Sequence, residues 1–159
     1  MQYFEAPAEY SGNGPGTSLF IAGGITGCPD WQAELAKHLR SEDVVILNPR
    51  RAASFVRGKS LDRQQIVWEH DHLRKATAVS FWFSSETLCP ITLYELGSWS
   101  MSGKKIFVGV HPDYKRRQDV EIQTSLVRPE VKLVYDIPAL AGQIRDWLKE
   151  RAQDTPLRR

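Results

Sequence analysis

The stretch AVSFWFSSETLCPITLYELGSWS, residues 78–100, contains the pattern that decides the fold. Its first six residues are apolar except Ser80, which is typical of a parallel strand buried on both faces. Pro90 suits the first position of a helix, and Gly103 suits the position just beyond its end. A strand that leads through a short loop into a helix is half of a βαβ unit, so the stretch predicts an α/β fold with a parallel sheet.

The same alternation of strand and helix recurs along the chain. Apolar segments predict strands at 18–22, 44–47, 78–83, 105–110 and 131–136. Helical periodicity predicts helices near 31–39, 61–75, 90–102, 120–125 and 138–152. In a sheet of this kind ligands bind beyond the carboxyl ends of the strands, which directs attention to the loops at 23–29, 48–60, 84–90 and 111–118.

The chain length of 159 residues predicts a single domain. Its bounds are expected at 18–152, with a short tail at 153–159. Residues 1–17 are expected to be a lead-in segment without regular structure, because glycine and proline dominate its second half.

Composition and charge exclude several classes of protein. The net charge of +2 is too small to indicate a binder of nucleic-acid polymers or of membranes. Two cysteines, Cys28 and Cys89, form no zinc spacing and no disulfide framework, which favours a reduced, cytoplasmic protein. The N-terminus does not resemble a signal peptide, and no apolar run is long enough to span a bilayer.

Glu95 is the one charged side chain in the segment 88–103. The helix around it is apolar on nearly every side, which predicts a buried helix. A buried carboxylate without a partner is costly, so it neutralises, pairs or does chemistry. Glu95 also lies within about two turns of the helix start, close to the expected crevice. The alternative is a structural carboxylate paired with a buried arginine.

The second helix, QQIVWEHDHLRKA at 64–76, offers another carboxylate. If Ile66 and Leu73 mark its core face, Glu69 borders that face and Asp71 points to solvent. His70 and His72 are two positions apart and lie on roughly opposite sides of a helix, so they cannot chelate one metal ion as an i, i+4 pair would. We expect both histidines on an exposed helix face and no metal site.

Other candidates for ligand contact come from the loops after the first two strands and from the aromatic residues. The glycines of AGGITG at 22–27 allow a close backbone approach to a ligand, although the segment is not a GxGxxG fingerprint. Asn48 and Arg50 leave the second strand toward the same crevice, where they can contact hydroxyls and phosphates. Among the aromatic residues, one or two could stack on a planar base while the others form core.

Four sequence segments follow one another along the chain: FIAGGITG at 20–27 with Trp31, NPRR at 48–51, WE at 68–69 and PITLYELG at 90–97. In this order they resemble the nucleoside 2-deoxyribosyltransferase superfamily, especially its compact deoxyribosyltransferase-like branch. The resemblance implies a flavodoxin/Rossmann-like α/β three-layer sandwich with a five-stranded, mainly parallel sheet. It implies an enzyme that cleaves N-glycosidic bonds, and homo-oligomers with active sites near subunit contacts. Its small-molecule partner would be a nucleoside or a nucleotide, and no cofactor or metal would be needed.

The resemblance also assigns roles to individual residues. Glu95 would be the nucleophile that forms a glycosyl-enzyme ester, from which a second base or water takes the sugar with net retention. Glu69 would orient the sugar, and the loop at 23–25 would lie against the substrate. The residues expected to contact substrate are Phe20, Gly23, Gly24, Ile25, Trp31, Asn48, Arg50, Trp68, Phe83 and Pro90.

Three positions depart from the family pattern. Phe20 stands where relatives often carry a tyrosine, Thr77 where many carry an aspartate that handles the leaving base, and Cys89 where classical transferases have a further acid. Two alternatives to base transfer therefore stay open. One is a nucleoside 5′-monophosphate N-glycosidase in which Arg50 reads the phosphate. The other is a non-catalytic nucleotide sensor.

Overall fold

The computed structural model describes residues 1–12, 16–51 and 59–154, and for residues 59–61 it describes the backbone alone. Its elements in chain order are β1 (Gln2–Glu5), β2 (Thr17–Gly23), α1 (Trp31–Leu39), β3 (Val44–Asn48), α2 (Lys59–Lys75), β4 (Ala78–Phe83), α3 (Pro90–Ser100), β5 (Lys105–Val110), α4 (Arg117–Val127) and α5 (Ile137–Asp154).

The five strands form one parallel sheet in the order β1-β3-β2-β4-β5. Helices cover both faces, which confirms the predicted flavodoxin/Rossmann-like α/β fold. Alternate residues of β2 supply the two cores: Leu19 and Ile21 pack with α1 and α5, whereas Phe20 and Ala22 pack on the α2 and α3 side. The helices that follow β2 and β4 therefore leave toward opposite faces, and a crevice opens between the carboxyl ends of these two strands.

The edge of the sheet is built differently from the prediction. Residues 131–136 do not form a strand; only Val134 bridges to Gly109. This segment is partly exposed along its length, whereas a strand within a parallel sheet is covered on both faces. The fifth strand is instead Gln2–Glu5, which pairs with β3 along the full strand. The expectation of an irregular segment at 1–17 was wrong because the glycines there follow a short edge strand.

Two expectations about the helices were also wrong. α3 is not buried all round: Thr92 and Leu96 pack inward, but Ile91 is 63% and Tyr94 75% exposed. The helix lies on one face of the sheet, so half of its apolar surface remains uncovered within this chain. It ends at Ser100, two residues before the predicted end at 102.

On α2, His72 is fully buried rather than exposed, while Ile66, which was taken to mark the core face, is 64% exposed. The ring of His72 stacks on Trp68 with centroids 3.9 Å apart, and its Nδ1 lies 2.7 Å from the Trp68 carbonyl oxygen. Its Nε2 accepts a hydrogen bond from the backbone N–H of Tyr10 at 3.1 Å. Burial lowers the pKa of His72, so the neutral ring joins α2 to the N-terminal segment.

Across the described parts of the chain, no helix combines the length and apolar character needed to cross a membrane.

Candidate functional site

A cavity of about 560 Å³ opens at the carboxyl end of β2, between α2 and α3. Its wall combines three groups of residues: the end of β2 with the loop that follows, one face of α2, and the start of α3. The lining residues are Phe20, Ala22, Gly23, Gly24, Ile25, Thr26, Pro49, Asp62, Gln65, Ile66, Glu69, Thr87, Cys89, Pro90, Ile91, Thr92 and Glu95. The structure therefore brings both predicted carboxylates, Phe20, the glycine loop and Pro90 to one cavity.

Glu95 contributes a partly buried carboxyl group from the second turn of α3. Within the described residues it has no hydrogen bond and no ion pair. Burial raises its pKa to about 8, and the nearby charge of Glu69 adds to the rise. At neutral pH the group is therefore mostly protonated, and it becomes a carboxylate under mildly basic conditions.

Glu69 occupies the α2 side of the cavity and is held in place. Gln65, one turn earlier on the same helix, donates a hydrogen bond to Glu69 Oε1 at 2.8 Å and another to the Pro49 carbonyl oxygen at 2.7 Å. The Arg51 guanidinium donates in turn to Gln65 Oε1. Burial raises the pKa of Glu69, but the Gln65 hydrogen bond and the Arg51 charge both oppose the rise.

The glycine loop is shaped by close packing behind it. A Cβ on Gly23 would collide with the ring of Trp31 and would lie 2.6 Å from the Trp82 carbonyl oxygen. Trp31 Nε1 donates to the Gly24 carbonyl oxygen at 2.9 Å. Glycine is therefore needed at Gly23 so that the strand end can rest on the indole of Trp31, which leaves the backbone of the loop facing the cavity.

Five of the residues expected to contact substrate do not line the cavity. Three of these, Trp31, Trp68 and Phe83, are buried core. Trp68 lies behind Phe20, with ring centroids 6.2 Å apart, and its Nε1 donates to the Ala8 carbonyl oxygen at 2.9 Å. These aromatic residues support the wall from behind, and sequence periodicity alone does not distinguish the two layers.

The other two, Asn48 and Arg50, are engaged within the protein. Asn48 donates to the Tyr3 hydroxyl at 2.7 Å and accepts from the Arg50 backbone N–H at 3.0 Å. Arg50 Nε donates to Gln32 Oε1 at 2.9 Å, and Nη2 donates to the Pro29 carbonyl oxygen at 2.9 Å. The Arg50 guanidinium thus secures the loop before α1, with Asp30 also 3.5 Å away.

Several lining residues were not predicted from the sequence, above all Asp62, Gln65 and Ile66. A signal for them exists: they precede Glu69 by seven, four and three positions, which is the spacing of one helix face. Thr87 and Cys89 also line the cavity; the loop at 84–90 was predicted to face the crevice, but neither residue was named as a substrate contact. No group of three or more potential metal ligands is found among the described residues.

Comparison with known proteins supports the resemblance seen in the sequence. The model of a family described as nucleoside 2-deoxyribosyltransferase like matches residues 16–114, well over half of the chain. The matched region extends from β2 through α3 and β5 and includes the whole cavity wall. Among curated proteins, none matches the chain.

Proposed function

The chain belongs to the nucleoside 2-deoxyribosyltransferase-like family, and we propose that it cleaves or transfers the N-glycosidic bond of a (deoxy)nucleoside through a covalent glycosyl-Glu95 intermediate. The family itself indicates an enzyme of nucleoside glycosyl transfer. One observation carries the proposal: Glu95 and Glu69 line the same cavity, and only Glu69 is tied down by hydrogen bonds.

The proposed reaction has two displacements. A Glu95 carboxylate oxygen attacks the anomeric carbon of the sugar, the bond to the base breaks, and a glycosyl ester forms. A second base, or water, then attacks the same carbon and releases Glu95, so the configuration is retained overall. Glu69, held by Gln65, accepts hydrogen bonds from sugar hydroxyls and fixes the anomeric carbon in front of Glu95.

The charge of the cavity wall favours a nucleoside without a phosphate. Its ionisable lining side chains include Asp62, Glu69 and Glu95, and within the described residues no lysine or arginine lines it. Arg50, which the phosphate-reading alternative needs, donates its hydrogen bonds to Gln32 and Pro29 instead. Because Glu95 is mostly protonated at neutral pH, Asp62 and Glu69 are the acidic lining residues that disfavour a 5′-phosphate dianion, so the nucleotide N-glycosidase is the weaker candidate.

The rim of the cavity supports a homo-oligomer. Ile66 and Ile91 line the cavity and are both largely exposed, and Tyr94 and Met101 continue the exposed apolar surface along α3. Apolar surface of this kind is typical of a protein contact, and a second copy placed there would also close the mouth of the cavity. Two free thiols favour a reducing compartment, which is consistent with a cytoplasmic protein.

Product analysis tests the proposed reaction. The protein is incubated with each 2′-deoxynucleoside, with and without a second free base, and compared with Glu95→Gln. Exchange of the base establishes transfer, and release of free sugar establishes hydrolysis. Binding across nucleosides and their 5′-monophosphates without any turnover would contradict the proposal and would support a sensor.

A further inference from the structure

The two cysteines of the chain, Cys28 and Cys89, meet beside Gly24, although 61 positions separate them in sequence. A Cβ built on Gly24 would lie 2.5 Å from Cys28 Sγ and 2.9 Å from Cys89 Sγ. The two sulfurs are therefore no more than about 5.4 Å apart, the sum of these distances. We propose that Cys28 and Cys89 are a modification site, a thiol pair that closes to a reversible disulfide at the edge of the cavity.

Hydroxyl groups surround the two sulfurs, and Ser84 Oγ donates a hydrogen bond to Cys28 Sγ at 3.0 Å. Gly24 has no side chain to separate them, and the Thr87 hydroxyl contacts both, at 3.4 Å from Cys28 Sγ and 3.2 Å from Cys89 Sγ. The S–S bond is about 2.05 Å long, so the sulfurs must approach each other. Cys28 lies in the loop between β2 and α1, outside any helix or strand, and the Arg50 hydrogen bonds to the carbonyl oxygens of Cys28 and Pro29 must yield if this loop supplies the movement.

The residue type at position 89 is not explained by its place in the fold. Cys89 is the N-cap of α3, yet its side chain makes no capping hydrogen bond. Asparagine, aspartate or serine is the usual choice at an N-cap. The backbone of Cys89 also has φ +44°, a left-handed conformation that a side chain other than that of Asn or Asp rarely adopts. Position 89 thus carries a thiol although both helix capping and the backbone conformation favour another residue type.

Exposure sets the order of the chemistry. Cys28 is partly exposed and Cys89 is buried, so a peroxide oxidant reaches Cys28 first. Peroxide oxygen adds to the Cys28 sulfur as the O–O bond breaks, which gives a sulfenic acid and one water. The Cys89 sulfur then attacks the Cys28 sulfur, the S–S bond forms, the S–O bond breaks, and a second water leaves with the thiol proton. The two thiols supply the two electrons that reduce the peroxide.

The disulfide would join two walls of the cavity. Cys28 follows the glycine loop, and Cys89 begins the helix that presents Glu95 six positions later. Closure pulls the loop toward the start of α3 and moves both away from the arrangement described above. The expected loss of turnover rests on the proposed function, whereas the formation of the disulfide does not.

The test treats the full-length protein with hydrogen peroxide, alkylates the remaining thiols and maps the peptides without reduction. We expect one cross-linked peptide that joins Cys28 to Cys89 within a single chain, and its reversal by dithiothreitol. Cys28→Ser should yield no such peptide, while Cys89→Ser should leave an oxidised Cys28 without an intramolecular partner. Full alkylation of both thiols, oxygen addition alone, or cross-links only between chains would overturn the proposal.

A second measurement distinguishes the formation of the disulfide from its effect on turnover. Base exchange by the oxidised wild type should fall by at least about tenfold and recover with dithiothreitol, because small displacements in a site are costly. Cys28→Ser should keep its activity in peroxide. A mapped disulfide with unchanged exchange overturns the effect on the cavity. If the reduced protein shows no turnover at all, the proposed function fails, while the mapped disulfide still supports the thiol pair.

Discussion

The α2 and α3 walls of the cavity each carry one glutamate, and the two are supported in opposite ways. On α2, the Glu69 carboxylate accepts a hydrogen bond from Gln65, and Gln65 is in turn hydrogen-bonded to Pro49 and Arg51. On α3, Glu95 has no hydrogen bond or ion pair within the described residues. A side chain held by a network suits positioning, and one left without partners suits a bond-forming role.

The electrostatics show the same contrast. Burial raises the pKa of both groups, but Gln65 and Arg51 offset the rise at Glu69. At Glu95 nothing offsets it, and the charge of Glu69 raises the pKa further, to about 8. The α2 wall therefore holds a hydrogen-bonded acceptor in place, and its charge also makes the carboxylate on α3 more basic than an ordinary glutamate.

Glu95→Gln should abolish the reaction. The amide cannot form the glycosyl ester, so we expect kcat/KM for base exchange to fall by about a thousandfold or more. Nucleoside binding, measured by calorimetry, should persist because Glu69 and the glycine loop remain. Turnover within tenfold of the wild type would show that the nucleophile lies elsewhere.

Glu69→Gln should slow the reaction without stopping it. The sugar loses its strongest hydrogen-bond acceptor, and we expect kcat/KM to fall by about a hundredfold. Covalent intermediate should still form, only more slowly, as followed by rapid quench. Asp71→Asn is a matched control on the exposed side of the same helix, and its kinetics should equal those of the wild type.

The rate should depend on pH in a way that separates the two carboxyls. Because the pKa of Glu95 is about 8, its ionised fraction and the kcat/KM of the wild type should rise about fiftyfold between pH 6 and pH 8. Glu69→Gln removes a negative charge near Glu95 and should shift this rise to lower pH. A flat profile, or one that Glu69→Gln leaves in place, would exclude the proposed coupling.

Gln65→Leu should weaken the α2 wall alone. Glu69 loses the hydrogen bond that fixes it and lowers its pKa, so we expect kcat/KM to fall by about tenfold. In a double-mutant cycle with Glu69→Gln, the two effects should not add. Gln153 is exposed on α5, far from the Gln65 network, and Gln153→Leu should leave the rate unchanged.

Glu95→Gln should also stabilise the fold, and more so at higher pH. The carboxyl has a raised pKa in the folded state, so unfolding releases its proton between pH 4.5 and pH 8 and the wild type loses stability across that range. We expect a gain in unfolding free energy of about 1–3 kcal/mol at pH 8.5 and little gain at pH 4.5. The control Glu150→Gln, on the exposed face of α5, should show no such trend in urea titrations.

The sequence was sufficient for β2 to β5, but not for the edge strand β1 or for the segment at 131–136. Strands such as 78–83 and 105–110 are continuous apolar segments, and the structure has both with the predicted bounds. Gln2–Glu5 is short and mostly exposed, so its pairing with β3 leaves little pattern in the sequence. Residues 131–136 have the composition of a strand, but only Val134 bridges to the sheet.

The same limit of sequence-based prediction applies to the cavity. Glu95, Glu69 and the end of β2 could be placed from periodicity and do line the cavity, whereas Asp62, Gln65 and Ile66 on the same face of α2 were not predicted. Arg50 and Asn48 could not, because their partners Gln32, Pro29 and Tyr3 come from other parts of the chain. The meeting of Cys28 and Cys89 beside Gly24 likewise depends on how two loops approach in space.

The most direct test of the account is to locate the covalent intermediate. The protein is incubated with 2′-deoxynucleosides or with 2′-fluoro analogues that slow turnover, quenched, digested and sequenced by mass spectrometry. The account predicts a sugar mass on Glu95, absent in Glu95→Gln and formed more slowly in Glu69→Gln. A sugar on any other residue, or turnover with no adduct under conditions that trap one, would contradict it.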